Sequence, residues 1–155
     1  MQYKQFTGFS EPPLSANTDT ALTDLTVNIT PASASSVIHL QAHVFCEFAD
    51  ENNTYEHIFF FYRDTTKLGQ PASASRRTGI TMATRTYYGI DDNSTPEIAR
   101  YDYFDTPATT STITYKCGVS VLNADTIFIN RTIADADNPS YERGISFISA
   151  TEIGG

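Results

Sequence analysis

Hydrophobic and polar residues alternate with a period of two along much of this chain. In residues 110–121 the odd positions hold Ser111 and then only apolar side chains, whereas the even positions hold Thr, Lys, Gly and Ser. Residues 25–29 and 37–48 alternate in the same way. A period of two is typical of a β-strand that buries one face. These three runs are therefore predicted to be strands of sheets that share a core.

The remaining apolar segments complete a set of eight predicted strands. Residues 57–63 (HIFFFYR) are apolar at both parities, which indicates a strand covered on both faces. Further strands are predicted at 79–88, 98–104, 126–131 and 144–153, between turn sequences rich in Asp, Asn and Pro. The predicted fold is all-β, an antiparallel β-sandwich, and eight strands favour a jelly roll.

The chain contains no Gly-rich linker and no break in composition, so residues 22–155 are predicted to form one domain. Residues 1–21, which contain Pro12 and Pro13, are predicted to be an N-terminal arm that docks onto another protein. The N-terminus has no basic stretch followed by an apolar core, and the densest apolar run, 58–62, is too short to cross a bilayer. We therefore predict neither a secretory signal nor membrane insertion.

The charge of the chain argues against a polyanionic partner. Ten basic and 18 acidic residues give a net charge of −8, and the basic residues are scattered except for Arg76 and Arg77. Phosphate binding depends on clustered Lys and Arg, so nucleic acid is not a predicted partner.

No catalytic or metal-binding motif is present in the sequence. His39 and His43 share a strand face, but four residues separate them by about 13 Å, which is too far to bind one metal. His57 is predicted to be a core or interface histidine. Cys46 and Cys117 lie on the apolar parity of their segments and are predicted to be buried free thiols. We predict no cofactor, no metal and no enzymatic activity.

Acidic residues leave one alternative open. The loop at 135–138 has alternating carboxylates but lacks the Gly and distal Glu of a calcium loop, so it is predicted to be a solvated turn. Glycoside hydrolysis would need two carboxylates about 5 or 6.5–9.5 Å apart, and Asp91, Asp92, Asp102 and Asp105 are the candidates.

The chain has more aromatic residues than the core of one thin β-sandwich needs. We predict that six of them lie at a subunit or partner interface, where Tyr and Phe are enriched. They are Phe59, Phe61, Tyr87, Tyr88, Tyr101 and Tyr103. A sugar-stacking platform and ordinary burial on both faces of a sheet are the alternatives.

Four segments resemble, in order, the small β-rich domains of tailed phages. They are DLTVNITPASASSVIHLQAHV, FFYRDTTKLGQ, DTPATTSTITYKCGVSV and IFINRTIADADNPSYERGISFISATEI. The most specific pieces are DTP followed by TY, INRT, and the closing S-x-I-x-A-x-E-I. The matching residues carry no catalytic role in that pattern. They are Arg63, Asp105, Pro107, Tyr115, Asn130, Arg131 and Glu152.

Such domains are stand-alone virion proteins or fibre tips, similar to the trimeric jelly rolls of the tumour necrosis factor and complement type. The resemblance implies a non-enzymatic virion protein, a homotrimer that decorates the capsid or forms part of a tail or fibre. The implied partners are other copies, capsid or tail proteins, and a host surface glycan or receptor bound by loops. The chain departs from a whole fibre because it has no shaft of heptads or collagen-like repeats. The alternative function is a monomeric carbohydrate-binding or hydrolytic β-sandwich.

Overall fold

A computed structural model describes residues 1–49, 57–85 and 93–154. Within these residues the chain forms eleven β-strands and no helix. In chain order they are β1 (Gln2–Phe6), β2 (Pro13–Leu14), β3 (Asp19–Ile29), β4 (Val37–Phe48), β5 (Ile58–Arg63), β6 (Thr66–Lys67), β7 (Thr84–Arg85), β8 (Glu97–Asp105), β9 (Ile113–Ser120), β10 (Asp125–Ile129) and β11 (Ser146–Ile153).

The strands form two antiparallel sheets, which we call the larger and the smaller sheet. In the larger sheet β4 is central, because β11 and β10 pair along one of its sides and β8 along the other. β1 extends this sheet beyond β11, β2 beyond β10 and β7 beyond β8. The smaller sheet has the order β3-β9-β5-β6. The prediction of an all-β fold with two antiparallel sheets is confirmed.

The core lies between the sheets and uses the apolar parities that the sequence predicts. The even positions of β4 and the odd positions of β9 are buried. Cys46 and Cys117 are among them and are free thiols, as predicted. Burial raises the pKa of Cys117 to about 12 and holds the pKa of Cys46 well above its ordinary value. Neither thiol is therefore activated as a nucleophile.

The prediction that β5 is covered on both faces is also confirmed. Phe59 and Phe61 point into the core, whereas Phe60 points away from it and is nonetheless fully buried. Its ring packs over Gly118, where an added Cβ would lie only 2.4 Å from Phe60 Cε2. The Lys67 ammonium lies 4.1 Å from the Phe60 ring centroid on the outside. A cation–π contact and a glycine thus bury an aromatic ring on the outer face of the smaller sheet.

Within the described residues, the segment predicted as a strand at 79–88 is not one continuous strand. Ile80 N donates to the carbonyl of Phe59 at 2.7 Å, and Thr81 forms a bridge with the same residue of the smaller sheet. Three residues later the chain pairs with β8 of the larger sheet as β7. Because this segment crosses from one sheet to the other, it cannot form one continuous strand, and residues 86–88 lie outside the described residues.

The segment predicted as an N-terminal arm forms part of the larger sheet. β1 pairs with β11, β2 pairs with β10, and β3 begins at Asp19, three residues before the predicted boundary. Asn130 fixes the turn after β1 by donating from Nδ2 to the carbonyls of Phe6 and Gly8, both at 2.7 Å. Docking of this segment onto another protein stays a prediction.

Candidate binding face

Three of the predicted interface residues lie inside the core, which corrects that prediction. Phe59 and Phe61 are fully buried and Tyr101 is 5 % exposed. The Tyr101 ring centroid lies 4.6 Å from that of Phe61 and 6.1 Å from that of Phe59. Its hydroxyl donates to the carbonyl of Phe60 at 3.3 Å. The physical reason is parity, because these positions of β5 and β8 point towards the opposite sheet.

The other predicted interface residues have different outcomes. Tyr103 is partly buried and packs against the core from its position on β8. Tyr87 and Tyr88 lie outside the described residues. The sequence reasoning missed Phe104, whose side chain has the opposite parity to Tyr103 and is 56 % exposed. The alternation within β8 was the available signal, since Arg100, Asp102 and Phe104 are its exposed or outward positions.

The face of the larger sheet that points away from the core carries a mixture of aromatic and polar side chains, and we call it the outward face. The strand register of β11, β4 and β8 sets its side chains in three rows. The rows are Thr151, His39 and Phe104; Ser149, Gln41 and Asp102; and Phe147, His43 and Arg100.

One end of the outward face is apolar. Phe104 and Ile153 are both exposed, and Val37 lies between their strands and is partly exposed. The His39 ring stacks on Phe104 with centroids 4.3 Å apart and an interplanar angle of 7°. Exposed apolar side chains on neighbouring strands are typical of an interaction surface when they are contiguous. We call Val37, Phe104 and Ile153 the apolar end.

Beside the apolar end, a groove of about 310 Å³ crosses the same face. Gln41, Arg100, Asp102 and Phe147 line it with outward side chains. Asp102 Oδ2 lies 3.3 Å from His39 Nε2. Within the described residues, the side chains of Gln41 and Arg100 form no hydrogen bond or ion pair. The groove therefore offers two polar side chains, Gln41 and Arg100, whose bonding capacity the described part of the chain does not use.

His43 lies next to this groove, between Phe147 and Arg100 in the strand register. Its ring stacks on Phe147 with centroids 6.0 Å apart. Burial, and then the Arg100 guanidinium, lowers the pKa of His43 below its ordinary value. His43 is therefore held in its neutral form, and Arg100 supplies the positive charge at this end of the groove.

The residues singled out by the resemblance hold the chain together. The buried carboxylate of Asp105 accepts two bonds from Arg63 Nη1, at 3.0 and 3.2 Å, and one from the Tyr115 hydroxyl at 2.6 Å. Burial, and then this bond to Asp105, raises the pKa of Tyr115. The network joins β5 and β9 of the smaller sheet to β8 of the larger sheet, and Pro107 follows in the turn after β8.

The other matching residues fix turns. Glu152 Oε1 accepts bonds from the Ala32 amide at 2.7 Å and the Ser36 hydroxyl at 2.6 Å. Those two contacts, the Ser36 hydroxyl first, lower the pKa of Glu152. Arg131 donates to the carbonyls of Thr132 and Ile133 and pairs with Glu11. These contacts give the matching residues structural roles.

The structure shows where the predicted histidine and carboxylate residues lie. His57 is buried with Nε2 3.0 Å from the Asp125 carboxylate, which confirms a core histidine. In the acidic loop, residues 136–138 are exposed as predicted for a solvated turn, whereas Asp135 is partly buried and pairs with Arg131 and Arg143. In the described ranges no group of three or more His, Cys, Asp and Glu side chains could hold a metal ion. Asp91 and Asp92 lie outside the described residues.

The fold defines this chain as a two-sheet antiparallel β protein. Neither a protein-family model nor a curated protein matches it. The described residues include no helix that is long and apolar enough to cross a membrane.

Proposed function

We propose that this chain is a non-enzymatic structural protein of a tailed-phage virion, built as a jelly roll and assembled as a homotrimer. It decorates the capsid or forms part of a tail or fibre, and it acts by attachment to other virion proteins and to the host surface. The resemblance of four ordered segments to phage virion domains supports the location. The strand pairing and the apolar end support the jelly roll and the assembly.

The pairing of the strands is nested in the manner of a jelly roll. Among the eight strands that remain when β2, β7 and β10 are set aside, the first pairs with the last and the second with the seventh. The third pairs with the sixth, and the fourth with the fifth. This nested pairing, divided between two sheets, supports the proposal of a jelly roll, in which an antiparallel ribbon folds over on itself.

The observation that carries the assembly proposal is the apolar end of the outward face. Phe104 is 56 % exposed and Ile153 is 45 % exposed. Covering such side chains with a second copy removes apolar area from water, which stabilises association. In a closed ring of three subunits this surface packs against a different surface of the neighbour.

Substitution at the apolar end tests this proposal. Phe104→Ser should convert a trimer into monomers on dilution, because truncation of an aromatic hot-spot residue costs about 2 kcal/mol or more of binding free energy, roughly a thirtyfold loss of affinity or more for each contact. The control is Leu122→Ser, which removes an exposed apolar side chain from the turn between β9 and β10. Light scattering gives the mass, and circular dichroism verifies the fold. A trimer that is equally stable in both variants would place the subunit contact elsewhere.

A second candidate function is supported by the groove beside the apolar end. A monomeric carbohydrate-binding sandwich needs aromatic and polar side chains together in an exposed groove, and Phe147, Arg100, Asp102 and Gln41 provide this combination. Such a protein would have the mass of one chain at every concentration, which separates it from the leading proposal.

A further inference from the structure

We infer that the groove on the outward face binds an acidic saccharide, a sugar unit that carries a carboxylate. The inference rests on the proposed attachment function, for which it names a ligand class and a site on the sheet face. The earlier expectation placed host-surface binding in loops at one end of the domain. The groove instead lies across β4, β8 and β11, whose hydrogen-bonded register holds its side chains in place.

Arg100 is the residue that indicates a carboxylate on the ligand. The chain has 18 acidic residues against ten basic ones, yet within the described residues no carboxylate pairs with this guanidinium. An arginine is always charged, and its planar fork of donors fits a carboxylate through two parallel bonds. His43, opposite Arg100 in the register, is held neutral and does not compete for the anion. The guanidinium is therefore available for a ligand.

The other end of the groove suits sugar hydroxyls. Asp102 lies opposite Gln41 in the next row of the face. The carboxylate of Asp102 accepts hydrogen bonds, and the amide of Gln41 both donates and accepts, so together they match hydroxyl groups. An anionic group would be repelled by Asp102 and attracted by Arg100. The two ends of the groove thus give one orientation to a ligand that has a carboxylate at one side and hydroxyls at the other.

Phe147 supplies the apolar surface that a sugar ring requires. Its ring lines the groove and is held by stacking against His43, with an interplanar angle of 15°. The C–H groups on one face of a pyranose pack against an aromatic ring, while the hydroxyls around its rim reach polar side chains. A volume of about 310 Å³ lies at the low end of ligand pockets, which suits one or two sugar units.

Titration with glucuronate and with glucose tests the inference on the full chain. We expect saturable NMR shift changes at Gln41, Arg100, Asp102 and Phe147 with glucuronate, and at least about tenfold weaker binding of glucose, since bonds to charged groups are the stronger ones. Arg100→Gln should weaken glucuronate binding about tenfold or more and leave glucose binding unchanged. The matched control is Arg143→Gln, an exposed arginine outside the groove, which should change neither.

Each other outcome overturns a specific claim. Equal affinity for the two sugars, or an Arg100→Gln variant that binds glucuronate normally, overturns the carboxylate assignment. The absence of shifts at the groove up to high millimolar sugar overturns the site itself. A trimer without sugar binding would overturn this inference alone, whereas a monomer that binds glucuronate would overturn the homotrimer and leave the inference standing.

Discussion

Replacing Tyr101 with Ser is expected to lower the free energy of unfolding by about 3–5 kcal/mol, the usual range for removal of a buried aromatic ring. The ring lies between Phe59 and Phe61 in the core, so its removal leaves a cavity that these neighbours can fill only in part. The variant also loses the bond from the Tyr101 hydroxyl to the Phe60 carbonyl. Urea denaturation followed by circular dichroism measures this loss.

Tyr103→Ser is the matched control for Tyr101→Ser. Both residues lie on β8 with the same parity, but Tyr103 is only partly buried. Tyr103→Ser should lower the free energy of unfolding by less than half of the loss expected for Tyr101→Ser. Dissociation of subunits by Tyr101→Ser with an unchanged urea midpoint would contradict the core position and restore the interface prediction.

Replacing Asp105 with Ala is expected to lower the free energy of unfolding by about 3 kcal/mol, because it leaves a buried hydroxyl and a guanidinium without their acceptor. Tyr115 is fully buried and cannot turn its hydroxyl to water. Arg63 is about 30 % exposed and can recover part of its loss through hydration. The network also joins the two sheets, so its loss should lower the free energy of global unfolding.

The control for Asp105→Ala is Asp102→Ala on the same strand. The Asp102 carboxylate is 60 % exposed and meets His39 at 3.3 Å, so its removal should cost about 0–1 kcal/mol. The pair of variants is compared by urea denaturation. Equal stability of the two variants would show that the Asp105 network does not hold the sheets together.

Much of the fold follows from alternation along the chain. The parities of β4 and β9 predict the core, and the apolar character of β5 on both sides predicts that its outer face is also covered, which Lys67 does by lying over the buried Phe60 ring. The short strands β1, β2 and β6 were missed because QYKQF, PL and TK have no periodic apolar pattern. Their pairing depends on neighbours that are distant in the sequence.

The site was harder to predict than the fold. A surplus of aromatic residues indicates an interaction surface only after the orientation of each strand is known, because the number of aromatic residues does not tell which of them point outward. Phe104 was passed over beside Tyr103, although alternation in β8 separates the two. The groove needs β4, β8 and β11 side by side, and residues 41, 100 and 147 meet only through that non-local order.

Light scattering of the unaltered protein across a dilution series tests the central claim most directly. The proposal predicts a molar mass near three times 17.1 kDa that persists as the protein is diluted. A mass of 17.1 kDa at every concentration would contradict the homotrimer and favour the monomeric carbohydrate-binding sandwich.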